Sequence, residues 1–325
     1  MNPYFFALMA LTGLISTPSI HAAEPLSAYP SKPVHAIVGY APGGGSDIMG
    51  RLIAQELSKN LNQTFVVENR AGAAQNVAAE YVAKAAPDGY TLFMSSAALG
   101  INISLYPKMN YHPIHDFSPI ALFAISPNLL VTHPSLPTKD LKAFLAFAKK
   151  APHPLNYSSS GSGSTQHLSG EMLKVMTQIG FVHVPYRGTS PSITALLSGE
   201  VEFSFANIPS AINYLQNKRL RALAITSRKR STLFPDLPTM AEAGVPRFET
   251  STWYGLLGPA NLPVDLVNKL NHTVNSIVKD PSVNKRLAQL GSDPVADTPA
   301  YFVNHLKDEI ERWAPVVKNS GAKPE

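Results

Sequence analysis

Short apolar runs and amphipathic stretches alternate along most of this chain. Val34–Tyr40 is largely apolar and ends in Pro42-Gly43-Gly44-Gly45. Ile48, Leu52, Ile53, Leu57 and Leu61 then recur near the 3.6-residue period and predict a helix, with Ser46 and Asp47 available to cap it. Phe65–Glu68 predicts a second strand, Val77–Ala86 a helix stopped by Pro87-Asp88-Gly89, and Tyr90–Ser95 a third strand. That β-α-β-α-β order is the mark of a parallel sheet with right-handed crossovers. A second series follows. Leu129–Thr132 predicts a strand and Asp140–Lys149 a helix. Leu155–Ser158 is a strand that runs into Ser159-Ser160-Gly161-Ser162-Gly163-Ser164. The helix Gln166–Met176 carries Leu168, Met172, Leu173 and Met176 on one face. Phe181–Pro185, Val201–Phe205, Arg221–Thr226 and Trp253–Leu257 predict further strands, with helices near Ser190–Leu197 and Ser210–Gln216. The tail reads as three helices, Val264–Val278, Ser282–Leu290 and Pro299–Lys318. There is no internal repeat.

The first 23 residues differ from the rest. They hold no charged side chain, and Phe5–Ile15 is apolar but too short for the roughly 20 residues that span a bilayer. Pro18 and Pro25 prevent a longer helix. Residues 1–23 are therefore expected to be a signal peptide, cut near Ala22 or Ala23, although its start has no Lys or Arg. The mature protein is expected to be exported.

Length and composition narrow the classes. At 325 residues the chain exceeds one ordinary core, so two domains or lobes are expected. With no Cys it has no disulfide, thiolate metal site, Cys nucleophile or lipid-modified N-terminal Cys. The net charge of +5 comes without a basic run, the densest cluster being Arg228-Lys229-Arg230, so nucleic acid is not an expected partner.

The two Gly/Ser-rich turns are the candidate chemistry. Each joins a strand to a helix, where the first N–H groups are free and the helix dipole adds about half a positive charge. In open α/β sheets, ligands bind beyond the carboxyl ends of the strands. Two such turns on opposite lobes would grip an anion from both sides. Pro42–Asp47 fits neither a P-loop nor G-x-G-x-x-G, whose sixth position is Ile48 here. Gly161-Ser162-Gly163-Ser164-Thr165 does not meet the nucleophile-elbow pattern. His112, His115 and Asp116 have a metal-like spacing, but Pro113 breaks the helix face and a solvated loop is expected. His183 reads as a satisfied core histidine, and Trp253-Tyr254 as either cleft wall or core. No cofactor or metal is expected.

Several ordered motifs together resemble a known family. Tyr29-Pro30-Ser31-Lys32-Pro33, Pro42–Asp47, Val67-Glu68-Asn69-Arg70 and Ala85-Ala86-Pro87-Asp88-Gly89-Tyr90 resemble the tripartite tricarboxylate transporter substrate-binding proteins, the Bug or TctC-like receptors. The resemblance continues through Pro127–Val131, Leu155–Gly161, Val182–Tyr186, Leu220–Ala224, Pro235–Thr239 and Trp253–Leu257. It covers essentially the whole mature chain.

The resemblance implies an α/β, two-lobed periplasmic binding protein of the Venus-flytrap, type II-like kind, each lobe a mostly parallel sheet flanked by helices. Crossings near Ala124–Ser126 and Ser251–Trp253 would leave residues 24–124 and 253–325 in lobe one and 125–252 in lobe two. The implied ligand is a small carboxylate. The implied binding residues are Pro42, Gly43, Gly44, Gly45, Ser46 and Asp47, with Ser95, Ser96 and Ala97, from lobe one. Lobe two would supply Ser159, Ser160, Gly161, Ser162, Ser164, Thr165, Gln166, Tyr186, Arg187, Gly188 and Asn207. The implied partners are integral membrane transporter subunits, and a monomer is expected. Two departures bear on the ligand. Ala74-Gln75 stands where the family often has a Gly pair. Phe205-Ala206-Asn207 lacks a frequent Asp, which argues against a ligand with an amino group and for a di-, tri- or aromatic carboxylate. A sensor that presents the same ligand to a signalling partner is the alternative, and an exported α/β hydrolase a weaker one. The hydrolase would need a nucleophile with a base, or a metal, and neither constellation is visible.

Overall fold

The computed structural model describes residues 25–324. In chain order the elements are β1 (Val34–Val38), α1 (Gly45–Leu61), β2 (Phe65–Asn69), α2 (Asn76–Ala83), β3 (Thr91–Ser96), α3 (Ala98–Leu105) and β4 (Phe117–Thr132). Next come α4 (Leu141–Lys150), β5 (Leu155–Ser159), α5 (Thr165–Thr177), β6 (Phe181–Pro185), α6 (Thr189–Ser198), β7 (Phe203–Asn207), α7 (Ile208–Gln216) and β8 (Arg221–Ile225). The chain ends with β9 (Ser251–Pro259), α8 (Val264–Lys279), α9 (Pro281–Gln289), β10 (Asp293–Pro294) and α10 (Pro299–Ser320).

Two sheets share one strand. The first runs β2-β1-β3-β9-β4, with β10 on the far side of β4. The second runs β6-β5-β7-β4-β8. Strands joined by crossover helices pair in parallel, β2 and β3 on β1 and β6 and β7 on β5. β4 and β9 are antiparallel to their neighbours, because they run as connectors between the lobes and not as crossover strands. β4 pairs with β9 from Phe117 to Pro127, then with β7 and β8 from Asn128 onward. The chain returns where Thr250 N–H donates to Thr226 O and Ser251 pairs with Pro127.

Each sheet is buried on both faces, which is why its strands read as near-continuous apolar runs. In β1, Val34, Ala36 and Val38 pack with α1 and α8, while Ile37 packs on the other face with Phe93, Trp253 and Phe302. In the second sheet, Tyr157, Phe203 and Phe205 face one cluster and Leu129, Val131 and Ala206 the other. Leu168 of α5 joins Ile101, Leu105, Trp313 and Val317 in an apolar cluster between the lobes.

Two of the longer elements differ from the expectation, and the two-residue β10 was not foreseen either. α3 was not foreseen. Its sequence, ALGINISL, is apolar all round, so it lacks a one-sided stripe, and it is almost wholly buried. β4 is far longer than Leu129–Thr132. Pro119 and Pro127 demote a strand on paper, but β4 absorbs Pro119 beside a register shift and Pro127 at the change of sheet. The expected signal peptide lies outside the described residues.

Candidate functional site

The carboxyl ends of β1, β3, β5 and β7 converge on one cavity between the two sheets. Tyr40, Gly44, Gly45, Ser46, Ser96, Ala98 and Thr252 line it from one side, and Ser160, Thr165, Gln166, Thr189 and Asn207 from the other. Among these described lining residues none has an ionisable carboxylate, amine, guanidine or imidazole. The lining also marks the starts of α1, α3, α5, α6 and α7. These helices aim their positive ends, with unsatisfied N–H groups, at one small volume.

The local sequence explains each start. Gly44 is the N-cap of α1 and offers no side chain, so the first N–H groups of that helix stay free. Ser46 and Asp47, read as caps, lie inside the first turn. Asp47 reaches back instead. Its carboxylate accepts from Gly43 N–H at 2.9 Å, Arg51 Nε at 2.9 Å and Asn69 Nδ2 at 2.8 Å. Burial alone would raise the Asp47 pKa, but those hydrogen bonds and the Arg51 charge together hold it below its ordinary value. Gly45 is glycine because lobe two leans on it. A Cβ there would lie 2.4 Å from Asn207 Oδ1.

At the cavity, lobe two caps two helices with side chains. Ser164 Oγ accepts from His167 N–H at 3.2 Å at the start of α5. Asn207 Oδ1 accepts from Ser210 N–H at 3.4 Å and from Ser210 Oγ at 2.6 Å at the start of α7. The lobes touch across the cavity. Ala41 N–H donates to Arg187 O at 3.0 Å, and Tyr106 OH to Ser162 O at 2.9 Å. In this closed arrangement the cavity measures about 10 Å³, room for about one water.

Of the residues read from sequence, Gly44, Gly45, Ser46, Ser96, Ser160, Thr165, Gln166 and Asn207 line the cavity. Pro42, Gly43 and Asp47 build the turn behind it. Ser95 and Ala97 are buried beside Ser96. Ser159, Gly161, Ser162 and Ser164 shape the second turn without lining the cavity. Ser159 Oγ lies 2.6 Å from His183 Nε2 and accepts Gly161 N–H at 3.1 Å. Tyr186, Arg187 and Gly188 place backbone at the seam, and the Arg187 side chain points outward into solvent. Tyr40, Ala98, Thr189 and Thr252 line the cavity without having been singled out. Tyr40 and Thr189 directly adjoin residues that were, Ala98 opens the unforeseen α3, and Thr252 sits on β9 beside the return crossing.

The remaining motifs resolve simply. His183 stacks on His167 with ring centroids 3.9 Å apart. Burial, helped by His167, pushes its pKa down to about 2. His167 is pushed down to about 4 by burial and the Lys174 charge. His112 and His115 lie with their rings tilted and centroids 4.3 Å apart, in a loop in which Asp116 Oδ2 accepts His112 N–H at 2.7 Å. Among the described residues no three His, Asp or Glu are placed to hold a metal ion. Trp253 and Tyr254 are both core, Trp253 packing edge-on against Phe302.

Two α/β lobes joined by paired connector strands, with helix starts gathered in the cleft between them, define a two-lobed periplasmic binding protein. The comparisons agree. Residues 49–322 match the Tripartite tricarboxylate transporter family receptor. Protein BugT of Bordetella pertussis is 37% identical over 319 residues, 97% of this chain and 98% of that protein. An R. palustris protein solved with adipate is 37% identical with a TM-score of 0.89, covering 91% of this chain and 100% of that one. MatC from Rhodopseudomonas palustris, solved with bound malate, is 34% identical with a TM-score of 0.85, covering 89% and 100%. The chain belongs to the tripartite tricarboxylate transporter receptor family, the periplasmic solute-binding receptors that include the Bug proteins.

Proposed function

We propose that this chain captures a small di-, tri- or aromatic carboxylate in the cavity between its lobes and delivers it to a tripartite tricarboxylate-type membrane transporter. One observation carries the reading: five helices, α1, α3, α5, α6 and α7, begin at a single cavity whose described lining residues include no carboxylate, amine, guanidine or imidazole. Such a site supplies preformed N–H and O–H donors to an anion and nothing to balance an ammonium group. The binding residues are those lining the cavity, held by the turns 42–47 and 159–166. The relatives solved with adipate and malate support a carboxylate as the ligand class.

The mechanism is closure. About 10 Å³ admits no organic acid, so the ligand enters with the lobes apart and is enclosed as they meet. Lobe one, residues 24–124 with 253–325, and lobe two, residues 125–252, swing about the two connectors. The ligand favours the closed form because only there do both sets of helix starts reach it. The protein acts as an exported monomer that carries its cargo without altering it.

A thermal-shift screen against a carboxylate library tests this. A binding carboxylate at a hundred times its dissociation constant stabilises the fold by about 2.7 kcal/mol. Stabilisation by aspartate or glutamate, with none from any unsubstituted carboxylate, would overturn it.

A further inference from the structure

Ser96 is a cavity hydroxyl whose proton has a fixed direction. Behind it sits Gln75, wholly buried. The Gln75 side-chain amide spans the backbone of Ser96: Nε2 donates to Ser96 O at 3.1 Å, and Oε1 accepts Ser96 N–H at 3.2 Å. A backbone N–H can only donate and a carbonyl only accept, so this amide cannot be turned over. The same Oε1 lies 3.2 Å from Ser96 Oγ, which must therefore donate to it. In the 3.4 Å contact between Tyr40 OH and Ser96 Oγ, Tyr40 is then the donor. One lone pair of Ser96 Oγ remains for a ligand, and no proton.

The backbone is bent to achieve this. Ala73, Ala74 and Gln75 all have positive φ, at 44°, 44° and 70°. Successive non-glycine residues in that region are strained, and such strain persists where the surroundings impose it. Gly39 makes the room, since a Cβ there would lie 2.2 Å from Gln75 Cβ. Thr189 behaves in the opposite way. Its Oγ1 accepts from Asn207 Nδ2 at 3.4 Å, an amide whose orientation is fixed by Ser210 N–H, so the Thr189 proton is free to donate.

We propose that Gln75 is a positioning residue for specificity: by claiming the Ser96 proton it turns this cavity hydroxyl into an acceptor beside the helix starts, and selects a carboxylate that also carries a hydroxyl. The inference rests on the carboxylate reading above and narrows it. A bare carboxylate leaves the Ser96 lone pair facing it unpaired or repelled, at a cost of about tenfold or more in affinity.

Calorimetric titration with matched pairs differing by one hydroxyl tests it: malate against succinate, 2-hydroxyadipate against adipate, and citrate against propane-1,2,3-tricarboxylate. The wild-type protein should bind the hydroxyl-bearing member of any binding pair about tenfold more tightly or better. Ser96→Ala, Gln75→Met and Gln75→Leu should each bring that ratio close to one. Melting temperatures show which variants are folded, and Ser96→Ala decides the matter if the Gln75 variants are not. Carboxylate binding with equal affinity within each pair, or a preference that survives Ser96→Ala, would overturn the proposal and leave the carboxylate reading standing. Failure of every acid to bind would overturn both.

Discussion

The two walls of the cavity are built differently. Lobe one offers mainly backbone: α1 begins at an uncapped Gly44 and α3 at an uncapped Ala97, and the surrounding polar groups are tied up behind the wall. Asp47 holds the turn together with Arg51 and Asn69, and Gln75 holds Ser96. Lobe two offers side chains, Ser160, Thr165, Gln166, Thr189 and Asn207, and caps α5 and α7 with Ser164 and Asn207. The N–H groups of lobe one cannot be trimmed away, only obstructed, although side chains such as Ser96 stand beside them. A wall of hydroxyls and amides can be dismantled one group at a time.

That contrast can be broken first on the lobe-one side. Gly45→Val places carbon where Asn207 Oδ1 now sits, 2.4 Å from the nearest possible Cβ. The lobes then cannot meet, and the ligand-induced stabilisation of about 2.7 kcal/mol at a hundred times the dissociation constant should vanish while the far-UV spectrum stays native. On the lobe-two side, Thr189→Val removes a donor to the ligand and the acceptor of Asn207 and Gln166. Loss of a hydrogen bond to a charged group costs about 1.5–3 kcal/mol, so calorimetry should show affinity falling at least tenfold with the fold intact. Asn207→Ala should lower the stability of the unliganded protein by about 1 kcal/mol in a urea titration, because α7 loses its cap.

A smaller effect concerns pH. Burial depresses the pKa of His167 to about 4 and of His183 to about 2, so the unfolded chain binds protons that the folded one refuses. Their neutral forms contribute stability that is full above the unfolded value of about 6.5 and is lost as the pH falls from there, toward 4 for His167 and toward 2 for His183. The melting temperature should drop over that window, and less steeply in His183→Phe. The smallest effect should come from Arg187→Ala. The Arg187 side chain lies outside the cavity, so affinity should stay within about twofold of wild type.

Most of this architecture was legible because its punctuation is explicit. Pro42–Gly45 and Ser159–Ser164 interrupt apolar strands just where helices must start, and that is enough to locate both walls. Which residue of each turn lines the cavity was not legible. In the run from Ser159 to Gln166, Ser160, Thr165 and Gln166 reach the cavity, while Ser159, Ser162 and Ser164 do not. The choice is made by Gly161 and Gly163, whose φ values of 122° and 105° turn the chain in ways a composition of Ser and Gly does not reveal. α3 was hidden for another reason: a helix buried on every side has no hydrophobic period, so Ala98 could not be placed. Gln75 was noticed only as a bulky residue. Its function depends on Ser96, 21 positions away, and on a left-handed turn that non-glycine residues seldom adopt.

The central claim is that an organic anion is held between the lobes by helix starts and hydroxyls, without a cationic side chain. A crystal structure with a bound dicarboxylate tests it most directly. Carboxylate oxygens should lie within hydrogen-bonding distance of main-chain N–H groups at the beginnings of α1 and α5, and of Thr189 Oγ1, with no Lys, Arg or His side chain in contact. A dicarboxylate held instead by Arg187 or another cation, or bound outside the space between Gly45 and Asn207, would contradict it.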